Sequence, residues 1–153
     1  MLPKSEIMQS QSSAKVHFFF EGVSFDLRNR KKLRRVIESI FRKEKKKLKS
    51  INYIFTTDKI IYRINKDYLG HDFFTDIITF LLSEIRKPIE AEIYISIDRI
   101  RENAVDHGTT YKNELRRVMI HGALHLCGYD DKKLMEKKEM TGQENYYLLK
   151  YFN

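Results

Sequence analysis

Two runs rich in β-branched residues limit the folds open to this chain. They are residues 76–82 (DIITFLL) and 89–96 (IEAEIYIS), separated by a polar turn that contains Pro88. Their composition and the turn between them predict two strands of a sheet. From residue 98 onward the pattern is helical to the end of the chain, broken at Gly108 and Gly128. The sheet therefore belongs to the first part of the chain.

The other segments complete an order of strands and helices. Residues 14–20 and 51–56 predict two further strands, and residues 1–13 are polar, Ser/Gln-rich and aperiodic, as in a loose leader. Helical spacing is present in residues 27–49 with Asp26 as N-cap, 57–70, 98–107, 111–127 and 132–147. This order predicts an α+β fold in a single domain over residues 14–153, with a four-stranded mixed sheet covered by helices.

The composition argues against a membrane-spanning or disulfide-bonded protein. No stretch reaches the roughly 18 apolar residues of a membrane helix, and the start of the chain lacks the apolar core of a secretory signal. The chain of 153 residues has a single cysteine, Cys127, which cannot form an internal disulfide and is typical of a reducing compartment. We therefore expect a cytoplasmic protein.

Residues 28–52 form a strongly basic segment. It has twelve Lys or Arg against two acids, a net +10 in a chain whose formal charge is +8. Apolar residues recur in it at helical spacing, which predicts a helix with one face in the core and a basic back. A solvated helix face and a polyanion-binding surface both explain such a run of charges. A membrane-surface helix is disfavoured, because its apolar face would have to enter the membrane, and here that face is needed to close the core. Nucleic acid is the natural polyanion, and its expected contacts are Arg28, Arg30, Lys31, Arg34 and Arg35.

The segment VMIHGALHLCGYDD carries the chemistry. Its two histidines, His121 and His125, are four residues apart, so on a helix both imidazoles project from one face and can share a metal ion. The neighbouring residues are apolar, and a bound cation would supply one polar partner for both rings. Gly128 permits the helix to stop, so that Asp130 or Asp131 can return to the same face. Two histidines and a carboxylate leave a coordination position for water, as in catalytic sites.

Three other interpretations of the two histidines have to be weighed. Histidines at this spacing also occur as ordinary buried residues of a helix. Gly122 stands where the H-E-x-x-H motif of peptidases has its glutamate base, which disfavours peptide hydrolysis. Facial-triad iron oxygenases use two histidines and a carboxylate, but a helical H-x-x-x-H matches them poorly.

The motif HGALHLCGYDD resembles the H-G-x-L-H-L-x-G-Y-D-H signature of the YbeY family of metal-dependent, single-strand endoribonucleases. Asn65 and Tyr68 are similar to the family's N-x-x-Y-R block, TDIITF from Thr75 to its T-D-V-L-S-F, and AEIYIS from Ala91 to its G-D-I-x-I-S strand. The resemblance implies a mixed sheet with helices around a metal cleft at the end of a C-terminal helix. It also implies an enzyme that acts in maturation of the 3′ end of small-subunit (16S) ribosomal RNA and in ribosome quality control.

The resemblance assigns roles to residues as well. The family's third ligand is usually histidine and the matching position is Asp131, so the implied metal ligands are His121, His125 and Asp131. They would hold one divalent ion, for which zinc is favoured, although oxygen also suits manganese and magnesium. Leu69 stands where the family has an arginine. His71 is the first candidate for that cationic role, and an ordinary loop histidine is the alternative.

The implied partners are single-stranded RNA, ribosomal RNA, small-subunit particles, and ribosomal proteins or an assembly GTPase, with no membrane. A rival hypothesis is a non-catalytic RNA-binding ribosome-assembly factor with a structural metal, which the missing arginine and the altered third ligand would support. Thr75 and Asp76 are expected to anchor their strand rather than to act in catalysis. Phe73, near the site motifs, is one of several aromatic residues that either pack or stack on unpaired bases.

Overall fold

Four strands form one mixed sheet in the computed structural model, which describes residues 14–153; the predicted leader lies outside the described residues. The sheet order is β1-β2-β4-β3, with β1, β2 and β4 parallel and β3 antiparallel to β4. The strands are β1 (Val16–Phe20), β2 (Leu48–Thr56), β3 (Ile77–Leu81) and β4 (Ile89–Ser96). The predicted four-stranded mixed sheet and α+β class are confirmed.

Five helices cover this sheet within the described part of the chain. They are α1 (Arg30–Lys43), α2 (Asp58–Leu69), α3 (Ile97–Asp106), α4 (Tyr111–Leu126) and α5 (Leu134–Phe152). Of Thr57 and Asp58, which the sequence offers equally as caps of the second helix, Thr57 is the cap: its side chain accepts a hydrogen bond from the Ile60 N–H, and Gly70 ends that helix in the left-handed region. No helix in residues 14–153 is long and apolar enough to cross a membrane.

Helix α4 lies unusually close to the sheet. Alternate residues of the central strands, among them Tyr53 and Ile93, are fully buried beneath it. The Tyr53 hydroxyl donates a hydrogen bond of 2.8 Å to the carbonyl oxygen of Met119 on α4. At Gly122 a Cβ would lie only 3.0 Å from Ile77 Cδ1 and 3.1 Å from Ile93 Cδ1, so glycine permits this approach. The contact fixes the helix that carries both motif histidines.

The predicted helix over residues 27–49 is wrong at both ends. Asp26 is not its cap: it accepts from the Arg28 guanidinium, while Asn29 precedes the helix without a side-chain cap bond. The helix ends at Lys43, and Lys45 turns the chain at a φ of 58°. Leu48 is buried as the first residue of β2 rather than on the helix. Periodicity alone does not decide whether Leu48 belongs to the helix or to the strand. One apolar residue after a lysine run continues a helical pattern and begins a strand equally well.

Candidate metal centre

Helix α4 positions the two histidines of the motif. Its first turn is capped by the Thr110 side chain, which accepts from the Asn113 N–H. His121 and His125 lie one turn apart in the last part of the helix, with ring centroids 5.1 Å apart and ring planes at 80°. Both imidazoles therefore face one side of α4, as their spacing predicts.

Asp131 returns to the same face of α4. The helix ends at Leu126, and Gly128 adopts a φ of +107°, a conformation that L side chains rarely adopt, as the chain turns back. The Asp131 carboxylate then lies 3.2 Å from Nε2 of His121 and 3.4 Å from Nε2 of His125. Asp130 is exposed and outside this cluster. Of the two carboxylates that the sequence left open, the structure brings Asp131 to the histidines.

The geometry of this cluster suits a small divalent cation. One ligand atom from each of His121, His125 and Asp131 lies within 4.8 Å of the other two. Ligands about 2.0–2.1 Å from a tetrahedral zinc ion are about 3.3–3.4 Å apart, close to the two carboxylate–imidazole distances. The three side chains retain 20%, 33% and 38% of their exposure, so the cluster is open on one side. An open position is typical of catalytic rather than structural zinc.

A fourth residue, Glu144, contacts the cluster through a hydrogen bond with His121. It lies on α5, is 6% exposed, and accepts a hydrogen bond of 2.7 Å from Nδ1 of His121. Arg117, on α4, donates a bond of 2.9 Å to the other Glu144 oxygen. Sequence analysis missed Glu144; the available signal is its position four residues after Met140, on the buried face of the last helix.

The charges around His121 shift its protonation. Burial alone would lower the pKa of His121, but the hydrogen bond and charge of Glu144, with the charges of Asp131 and Asp76, raise this pKa above its ordinary value. The Asp76 carboxyl is half-buried, and its removal from water raises its pKa against the opposing effect of its own backbone hydrogen bond and nearby cations. The carboxylates around the cluster therefore create a negative electrostatic potential that favours a bound cation.

The cluster lies in a cleft of about 870 Å³ between the segment around β3 and helices α4 and α5. Asn65, buried near the end of α2, fixes the loop that forms one wall: its side-chain amide donates to the Phe73 carbonyl, and its backbone carbonyl accepts from the His71 N–H. His71 lines this cleft and stacks on Phe73 at a centroid distance of 5.1 Å. The structure thus brings His71 to the cleft, together with Leu69.

Thr75 and Asp76 also line the cleft. The Asp76 carbonyl accepts from the Ser96 N–H at the end of β4, and its carboxylate accepts a bond of 3.2 Å from the Asn103 amide. Both contacts tie the start of β3 to the neighbouring strand and to α3. They match the anchoring role expected for Asp76.

The five basic residues predicted to contact nucleic acid lie elsewhere. None of them lines the cleft, because α1 packs on β1 at the opposite edge of the sheet from β3. Three strand spacings separate these edges, about 14 Å. Arg34 also has an internal role, donating to the Val16 carbonyl and lying 5.1 Å from the Phe18 ring centroid, whereas Lys31 and Arg35 are exposed.

An open cleft in an α+β fold, with two helical histidines and a carboxylate in its wall, defines a candidate metal-dependent hydrolase. The family model described as Endoribonuclease YbeY matches residues 21–152. Proteins named Endoribonuclease YbeY from Cytophaga hutchinsonii and Amoebophilus asiaticus are 45% and 42% identical over 130 and 136 residues. These matches cover 85% and 89% of this chain and 91% and 92% of the relatives.

A solved structure shares the fold. The solution structure of a Thermotoga maritima protein has a TM-score of 0.61 and 30% identity to this chain, covering 90% of it and 89% of that protein. The chain belongs to the endoribonuclease YbeY family. The family suggested by the sequence motifs is thereby confirmed.

Proposed function

We propose that this protein is a single-strand-specific metallo-endoribonuclease with one divalent ion, preferably zinc, on His121, His125 and Asp131. Membership of the endoribonuclease YbeY family makes the chain an RNA-cleaving hydrolase. The observation that carries the metal site is the Asp131 carboxylate within 3.2 and 3.4 Å of the two imidazole nitrogens. A divalent ion held there would polarise a phosphodiester oxygen and lower the pKa of a bound water.

Cations in the cleft would hold the RNA phosphate. Leu69 supplies no charge at the position of the family's arginine, but His71, Arg117 and Lys132 line the same cleft. We assign the role of that arginine to His71 first, because it lies on the same loop wall as Leu69. Phe73, 55% exposed beside His71, offers a face on which an unpaired base can stack.

The basic residues of α1 would act as a second contact. Arg28, just before α1, and Arg30, Lys31, Arg34 and Arg35 on it lie outside the cleft, and they would hold the RNA backbone there. Such contacts are independent of base identity and weaken with salt.

The substrate in the cell is the 3′ end of small-subunit (16S) ribosomal RNA, in maturation and ribosome quality control. Small-subunit particles, ribosomal proteins or an assembly GTPase are the partners, and the location is the cytoplasm.

The rival, a non-catalytic assembly factor, requires a structural metal. A structural zinc site normally has four protein ligands, whereas this cluster has three and opens into the cleft. The geometry therefore favours the enzyme.

A cleavage assay tests the proposal. Purified protein is incubated with end-labelled single-stranded RNA and with a perfect duplex of the same sequence, before and after a chelator, and then with Zn²⁺, Mn²⁺ or Mg²⁺ restored. The expected result is cleavage of the single strand alone, lost with chelator and regained best with zinc. Cleavage that is indifferent to the chelator would contradict the metal mechanism, and metal-dependent RNA binding without cleavage would favour the assembly factor.

A further inference from the structure

Glu144 has both carboxylate oxygens committed to residues of the candidate site. One accepts from Nδ1 of His121 at 2.7 Å, and the other accepts from Arg117 at 2.9 Å. Glu144 is nearly fully buried, which is unusual for a carboxylate unless its charge is paired. A buried charge with two directed partners is expected to fix the position of both.

The orientation of the His121 ring decides which of its two nitrogens contacts Glu144. Its Nε2 points toward Asp131 and the Nε2 of His125, whereas its Nδ1 points toward Glu144. A neutral imidazole carries one proton, and the carboxylate of Glu144 can only accept. Asp131 also accepts at Nε2, but at 3.2 Å and in a more exposed position, so the shorter, buried contact with Glu144 holds the proton at Nδ1 and leaves the lone pair of Nε2 for a metal ion.

Arg117 fixes the carboxylate in turn. It lies one helical turn before His121 on α4, and its second nitrogen donates a bond of 2.7 Å to the side-chain oxygen of Asn145 on α5. The guanidinium therefore holds two neighbouring residues of α5. Because of this clamp, Glu144 has little freedom to move away from the His121 ring.

The second histidine has no comparable support. Within residues 14–153, no side chain or backbone group accepts from Nδ1 of His125. The two ligands thus differ: a buried carboxylate fixes the tautomer of His121, whereas none contacts Nδ1 of His125 in the described residues.

We propose that Glu144 is a positioning residue that fixes the tautomer and the orientation of His121 for metal binding. This inference rests on the metal site of the proposed function. It makes the last helix, α5, part of the catalytic centre, although none of its residues is among the three candidate ligands. Loss of an outer hydrogen-bond partner of this kind typically lowers metal affinity about 10- to 100-fold.

Zinc affinity measured by competition with a chromophoric chelator tests the proposal. Glu144→Gln keeps the size of the side chain but has one oxygen for two donors, so affinity is expected to fall at least about tenfold. Glu139→Gln makes the same change on the exposed face of the same helix and is expected to bind zinc like the unaltered protein. Thermal unfolding of the metal-free variants shows whether each is folded.

The histidine tautomers provide a readout that does not depend on any variant. In ¹⁵N NMR spectra of the metal-free protein at about pH 9, where histidine is largely neutral, His121 is expected as the Nδ1–H tautomer. A dominant Nε2–H form of His121 would overturn the inference. Equal zinc affinity in Glu144→Gln and the unaltered protein would also overturn it, while leaving the metal site intact. No zinc binding by the unaltered protein would instead contradict the proposed function itself.

Discussion

The carboxylate of Asp131 lies 3.2 Å from Nε2 of His121, although the two residues belong to a turn and a helix that Gly128 separates. The signature that the motif resembles ends in histidine, where this chain has Asp131. An Asp131→His variant should therefore keep RNA cleavage and become more selective for zinc over manganese and magnesium, since imidazole is the softer ligand. Cleavage rates with each metal check this expectation. Loss of cleavage with every metal would show that the carboxylate has a role of its own.

An arginine at position 69, which the resemblance implies for the family, should raise the catalytic efficiency of the enzyme. Leu69 is 42% exposed and lines the cleft, so an arginine fits there at little cost in packing. We expect Leu69→Arg to raise kcat/KM several-fold and to steepen the salt dependence of RNA binding, because it adds one phosphate contact. Leu69→Gln, of similar length but uncharged, is the control. Equal gains in both variants would mean that charge at this position is irrelevant.

Gly122 should be intolerant of a side chain. A Cβ there would lie 3.0 Å from Ile77 Cδ1, so Gly122→Ala overpacks the contact of α4 with the sheet and is expected to destabilise the fold by about 1–3 kcal/mol. Gly142 lies on α5 with nothing within 4 Å of its Cβ position. Gly142→Ala should therefore stabilise by about 0.5–1 kcal/mol through helix propensity. Denaturant unfolding of both variants measures the difference, and opposite signs are the expected outcome.

The raised pKa of His121 predicts how stability depends on pH in the metal-free protein. The native state binds this proton more tightly than the unfolded chain, so the stabilisation is complete below the ordinary pKa of 6.5 and is lost as pH rises through the raised pKa. Unfolding in the presence of chelator should show this decline, and His121→Gln should lack it. With saturating zinc the trend should reverse, because metal binding requires a deprotonated imidazole. A pH-independent stability without metal would contradict the role of Glu144 and Asp131 as charged neighbours.

The basic back of α1 predicts a contact outside the cleft. Lys31 and Arg35 are exposed, so Lys31→Ala and Arg35→Ala should each weaken RNA binding and lower the slope of affinity against salt by about 0.7, the value for one single-strand phosphate contact. The exposed Lys59, on α2, serves as the control through Lys59→Ala. An unchanged salt slope would identify the basic face as merely solvated.

Much of the fold was predictable because local patterns decide it. The strand at Ile89–Ser96 has the predicted bounds, and α2 begins directly after Thr57, one of its two candidate caps. The end of α1 was not predictable, since Leu48 continues a helical period but pairs with Ile89 in the sheet. That choice depends on a strand far along the chain, which periodicity within one segment does not register.

The candidate site likewise contains residues that the sequence predicts and residues that it does not. His121 and His125 follow from helical spacing, and the family register favoured Asp131 over Asp130. Glu144 could not be found, because its contact with His121 depends on how two helices pack, and a buried glutamate in a polar helix gives little local signal. His71 was suggested by the family resemblance, which places a lysine at its position, and the buried Asn65 explains why its loop reaches the cleft.

The most direct measurement compares Asp131→Ala with Asp130→Ala. The two substitutions remove adjacent carboxylates, but only Asp131 lies beside the histidines. Metal content and cleavage of a single-stranded RNA are determined on the same samples, together with the unaltered protein. The account predicts that Asp131→Ala loses both bound zinc and cleavage, while Asp130→Ala keeps both. Full cleavage by Asp131→Ala, or equal loss in the two variants, would contradict the metal centre described here.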